Sequence, residues 1–182
     1  MKNLFFVILI ACSALSVKAQ KVYTKNGNIS FFSKSPLENI TATNNQVMSV
    51  LNTQTGEMQF SALIKSFHFE KALMQEHFNE NYMESSKFPK STFKGSVSDI
   101  SKVAMAKDGT YPVVVSGDLT IHGVIKKVST PGTLTVKNGV ISGKSVFSVK
   151  LAEYGISIPK LVKDNIAENI EITVNCTYDQ KM

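Results

Sequence analysis

The feature that most limits what this chain can fold into is a two-residue rhythm of apolar and polar side chains near its C-terminus. Ile170, Ile172, Val174, Cys176 and Tyr178 alternate with Glu171, Thr173, Asn175, Thr177 and Asp179. Successive side chains of an extended strand point to opposite faces, so this segment makes a sheet surface that is dry on one side and wet on the other. The rhythm recurs. Tyr111, Val113, Val115, Leu119 and Ile121 share one register. Ile141, Phe147, Val149 and Leu151 share another, with Ser142, Lys144, Ser148 and Lys150 among their neighbours.

From Met58 the apolar phase runs through Phe60, Ala62 and Ile64 and then slips to Phe67 and Phe69. A β-bulge near Lys65-Ser66 is the expected cause. Shorter strands are expected over residues 28–33, 41–52, 91–100 and 125–136, separated by the turn signals Asn26-Gly27, Thr55-Gly56, Asp108-Gly109, Pro131-Gly132 and Asn138-Gly139. The total is about eight strands, a number whose closed barrel is just wide enough for side chains or one small ligand. The fold class is therefore mainly β, a single antiparallel barrel. One segment departs from the rhythm. Over residues 70–83, Leu73, Met74, His77, Phe78 and Tyr82 fall at helical spacing, which predicts a short amphipathic helix ended by Lys87-Phe88-Pro89-Lys90. Such a helix between two barrel strands would cover one barrel mouth.

The first residues read as an export signal: Met1-Lys2-Asn3, an apolar run from Leu4 to Ala11, and Val17-Lys18-Ala19 as the cleavage site. That run is too short to span a bilayer as a helix. The expected division is a signal peptide over residues 1–19 and one domain over 20–182, with the product periplasmic or secreted. Leu9-Ile10-Ala11-Cys12 supports an alternative, a lipoprotein acylated at Cys12. Without the leader only Cys176 remains, so no internal disulfide can form and packing must hold the domain together. Loss of Lys2 and Lys18 lowers the formal charge from +6 to +4, and every basic residue is lysine. With no arginine forks and no dense basic patch, nucleic acid is not an expected partner. Weak, transient attraction to an anionic membrane surface stays open.

In the middle third the chain carries His77-Phe78, Tyr82, Lys87-Phe88-Pro89 and Phe93-Lys94-Gly95, then Gly117-Asp118-Leu119-Thr120-Ile121-His122-Gly123-Val124 and Lys126-Lys127-Val128. In these blocks, and in their order, it resembles the YceI-like family of periplasmic lipid-binding barrels. The resemblance implies an extended lipocalin-like barrel whose apolar tunnel holds a polyisoprenoid or similar amphiphile, with no cofactor and no catalytic residues. Many members carry arginine in the helical segment where this chain has Glu80, Asn81 and Glu84. A family contact that depends on a basic side chain there is not carried over.

A lipid tunnel needs a continuous apolar wall, because a hydrocarbon chain cannot satisfy buried polar groups. The candidate ligand-binding wall is Phe60, Ala62, Ile64, Phe67, Phe69, Leu73, Met74, Phe78, Tyr82, Phe93, Val113, Val115, Leu119, Ile121, Phe147, Val149, Ile170, Ile172 and Val174. The same residues could equally fill the barrel as core, giving a structural or stress-response module that acts through its surface. An enzyme acting on a bound lipid is the weaker third reading. His122, read as lying on a strand, is expected to tie that strand to a neighbouring loop. His68 and His77 show no metal-ligand spacing, and no metal site is expected. The serines form no nucleophile elbow, Cys176 sits on an apolar register, and Glu76 with Glu80 fits a solvated helix face. A homodimer is left open.

Overall fold

The computed structural model describes residues 21–182, so the expected leader and both of its cleavage readings lie outside the described residues. Ten strands follow in order: β1 (Lys21–Lys34), β2 (Asn39–Asn52), β3 (Glu57–Leu63), β4 (His68–Phe69), β5 (Lys90–Val97), β6 (Gly109–Ile121), β7 (Val124–Lys137), β8 (Val140–Lys150), β9 (Asn169–Tyr178) and β10 (Gln180–Lys181). Neighbours pair antiparallel, and β1 pairs with both β2 and β9. Eight strands therefore close on themselves as β1-β2-β3-β5-β6-β7-β8-β9, so that each barrel strand has a paired neighbour on both sides. The two-residue strands β4 and β10 are additions to β2 and β1. Among the described residues no helix is long and apolar enough to cross a membrane, which says nothing about strands.

Alternation of direction puts the β1–β2, β3–β5, β6–β7 and β8–β9 connections at one end, here called upper, and the others at the lower end. The lower end is filled. Val22, Leu51, Val97, Val136 and Ile141 bury against Ile100 and Val103, which descend from the connection between β5 and β6. At the upper end stands the expected helix, shorter than its periodicity suggested. It comprises α1 (Ala72–His77) and one π turn over Phe78–Tyr82.

Several expected local features take a different form. The phase slip after Ile64 comes from a 3-10 turn over Ile64–Ser66, closed by the Phe67 N–H donating to the Ile64 carbonyl at 3.2 Å, and not from a bulge. A turn of three residues shifts a two-residue rhythm by one. Asn26-Gly27 is no turn; it lies within β1 where the register with β2 breaks, and a side chain at Gly27 would meet Cys176 Sγ at 2.7 Å. Pro131-Gly132 likewise lies inside β7. The strand expected over 91–100 stops at Val97, because Ile100–Lys102 turn into the lower core. His122 is not on a strand. With Gly123 it forms the two-residue β6–β7 turn, at φ 51° and 76°, and Asn138-Gly139 repeats that geometry between β7 and β8 at 51° and 75°. Left-handed backbone at both positions matches the natural twist of a hairpin.

A candidate apolar binding cavity

Above the lower core the barrel is hollow, with a cavity of about 570 Å³. Every candidate wall residue lines it. β3 and β5 contribute Phe60, Ala62 and Phe93, and β6 contributes Val113, Val115, Leu119 and Ile121. β8 brings Phe147 and Val149, and β9 brings Ile170, Ile172 and Val174. From the upper connection come Ile64, Phe67, Phe69, Leu73, Met74, Phe78 and Tyr82. Other lining residues escaped the rhythm: Ile29 and Phe31 on β1, Ile40 on β2, and Val128, Thr130, Gly132, Gly143 and Ser145 on β7 and β8. The bulge at Gly27 masks the alternation of β1. At mid-height on β7 and β8 the inward residues Thr130, Gly132, Gly143 and Ser145 are small or hydroxylated, so no apolar pattern marks them. Those small side chains help to keep the barrel hollow at mid-height, since there is little bulk on that wall to fill it.

The upper end is an aromatic cap. Phe78 lies 5.5 Å from Phe31, 5.7 Å from Phe67 and 5.0 Å from Phe69, centroid to centroid. Such ring pairs add stabilisation beyond the area they bury. Beside the cap the lining includes Glu38, Lys71, Leu73, His77 and Asn165, of which Lys71, Leu73 and His77 are exposed. The cavity therefore reaches solvent between the β1–β2 loop, α1 and the β8–β9 connection. Lys71 Nζ donates to Glu38 Oε1 at 2.7 Å across this mouth. The hydrogen bond from Lys71 chiefly holds the Glu38 carboxyl below its ordinary range, and Glu38 holds the ammonium above its own. An exposed pair of this kind contributes little stability.

At the deep end Tyr178 Oη and Ser49 Oγ share a buried hydrogen bond of 2.9 Å. Burial pushes the Tyr178 phenol up, with Cys176 adding to the rise and Ser49 opposing it. Burial also pushes the Cys176 thiol up to about 12 against an opposing backbone N–H of Asn28. A thiol in that state is protonated at neutral pH and is a poor nucleophile.

His122 lies outside the cavity. Its Nε2 is 2.7 Å from Glu84 Oε2, its Nδ1 is 3.2 Å from the Tyr154 carbonyl, and its ring sits edge-on to Phe88 at 4.6 Å. The Phe88 ring also packs so closely on Gly123 that a Cβ there would approach it to 2.5 Å. The two sequence blocks thus meet in space: Lys87-Phe88-Pro89 seats on the His122-Gly123 turn and fixes the chain that follows the cap. Gly95 and Gly117 from the same blocks face each other across β5 and β6, where a Cβ on either would strike the partner's backbone. Glu76 and Glu80 are exposed and do not line the cavity. Among the described residues no three His, Cys, Asp or Glu side chains are placed to hold a metal ion.

A closed eight-stranded antiparallel barrel with an apolar interior and a capped upper end defines a lipocalin-like barrel. The chain belongs to the YceI-like domain family, whose model matches residues 19–178. Three solved structures share the fold. A polyisoprenoid binding domain from Saccharophagus degradans, implicated in plant cell wall breakdown, is 16% identical with a TM-score of 0.77, over 90% of this chain and 99% of that one. BcnA of Burkholderia cenocepacia is 16% identical with a TM-score of 0.68, over 83% and 95%. The Campylobacter jejuni YCEI protein is 15% identical with a TM-score of 0.64, over 82% and 90%. No curated protein matches the chain in sequence.

Proposed function

We propose that this protein holds the hydrocarbon chain of a long apolar lipid, a polyisoprenoid or similar amphiphile, inside the barrel. The observation that carries this reading is the cavity of about 570 Å³, whose wall is almost wholly hydrocarbon above a floor of packed side chains. Its volume falls in the range of ordinary small-molecule sites. Each buried methylene contributes about 0.8 kcal/mol, so a tail can be held without any polar contact. The S. degradans neighbour is itself described as polyisoprenoid-binding, and this supports the same ligand class here. The hollow at mid-height favours this reading over a filled barrel acting only through its surface.

Binding, and not turnover, is the function proposed. The thiol in the cavity is held protonated, and His122 is spent on structural contacts outside it. Export through residues 1–19, a periplasmic or secreted location and transient contact with a membrane during loading complete the proposal, with carriage, storage or an envelope stress response as the physiological use. Lipid extraction and mass spectrometry of protein purified from its native envelope is the test. A copurified isoprenoid or comparable amphiphile is expected. Protein that is free of lipid and also takes up no prenyl probe from vesicles would overturn the reading.

A further inference from the structure

β7 and β8 separate halfway up the wall. Their ladder runs from Lys137 and Val140 at the hairpin to Gly132 and Ser145. Beyond that rung β7 extends to Val124, paired with β6, and β8 extends to Lys150, paired with β9, but no rung joins the two. Pro131 stands at the break. Its carbonyl accepts a hydrogen bond from Ser145 Oγ at 2.8 Å and therefore faces β8. The N–H and C=O of one strand residue project to the same edge, so the donor that proline lacks is the one that would have carried the ladder onward. Thr130 Oγ1 lies 3.3 Å from both the Pro131 carbonyl and Ser145 Oγ, which satisfies these polar groups without a rung.

The break opens onto the cavity, since Val128, Thr130, Ser145 and Phe147 on its two sides all line the interior. Its outer margins carry the exposed apolar side chains Ile125 (64%) and Val146 (42%) among the exposed polar residues Lys127, Ser129, Ser148 and Lys150. Above it Tyr154 and Ile156 fold over as a strap and bury in the cluster that holds Val124 and Val149. We propose that this unpaired seam is a lateral entrance to the cavity, through which the hydrocarbon chain of an isoprenoid-like lipid passes side-on. The proposal rests on the binding function above and adds the route that the ligand takes. A flexible chain that enters sideways need not thread end-first past the aromatic cap.

The test bars the seam. Continued register would set Ser129 opposite Ser148, and both are exposed. The double variant Ser129→Cys/Ser148→Cys is bridged with a bis-maleimide that contains a reducible disulfide, and loading of a fluorescent long-chain polyprenol from phosphatidylcholine vesicles is followed. The bar should slow loading by about an order of magnitude or more, and reduction of the linker should restore it. Pro131→Val, which returns the missing donor, should slow loading in the same direction. Loading at an unchanged rate with the bar in place would overturn the entrance while leaving the binding function intact. Failure of the unmodified protein to take up the probe would defeat the binding function and the entrance with it.

Discussion

At position 122 a histidine sits in left-handed backbone, with each ring nitrogen engaged and its ring in a T-shaped contact with Phe88. His122→Ala removes both contacts. It should cost about 1–3 kcal/mol, toward the lower end because the partner Glu84 is 44% exposed. In a domain of this size the melting temperature should fall by about 2–4 °C per kcal/mol, while prenyl binding persists. Thermal melts and a binding titration on one preparation check both halves. Val115 and Ile172 set the opposite case, since both point into the hollow. Val115→Trp or Ile172→Trp should fill the space a tail would occupy and lower prenyl binding by tenfold or more, about 1.4 kcal/mol or greater. The overpacking should cost only about 1–3 kcal/mol of stability, leaving the barrel folded by circular dichroism. Unchanged binding in both variants would remove these positions from the ligand site.

Among the elements, the cap is the one that α1 and its π turn bring against the strands. Phe78 touches Phe31, Phe67 and Phe69, so Phe78→Ala should loosen the cap and speed ligand release more than loading. Stopped-flow release of a bound prenyl probe measures this, and an unchanged release rate would assign Phe78 to packing alone. The strands were largely legible in the sequence because a two-residue rhythm has one physical meaning, and β6, β8 and β9 show it with few interruptions. The cap was legible for the parallel reason, through Leu73, Met74 and Phe78 at helical spacing. Three local features were not. Asn26-Gly27 and Pro131-Gly132 carry turn chemistry, yet β1 uses its glycine for a close approach to Cys176, and β7 uses its proline to end pairing on one side. The His122-Gly123 turn is hidden because few residues other than glycine take left-handed backbone and His122 directly follows the apolar register that ends at Ile121. All the chosen wall residues do face the cavity, but the vacancy itself was not readable, because it depends on small inward residues such as Gly132, Gly143 and Ser145 that leave no mark in an apolar pattern.

The molecule as a whole should lose stability in alkali. Burial lifts the Cys176 thiol from its ordinary 9.0 to about 12, so above pH 9 the unfolded chain releases a proton that the folded one keeps. The resulting stability is complete below pH 9, is lost as pH rises toward 12, and amounts to a few kcal/mol on the order-of-magnitude scale. The raised Tyr178 phenol acts in the same direction above its ordinary 10.0. Melting temperature should therefore fall across pH 9 to 12, and Cys176→Val should flatten the early part of that fall. A fall equally steep in the variant would exclude the thiol as a cause. Disulfide reagents at neutral pH should label Cys176 only after unfolding. The packed lower end, where Ile100 and Val103 seal the strands, has a consequence for traffic. A vessel stoppered at its base is a thimble and not a pipe. Whatever it collects must be surrendered from the upper half that took it in, so delivery from one place to another requires the whole molecule to make the journey.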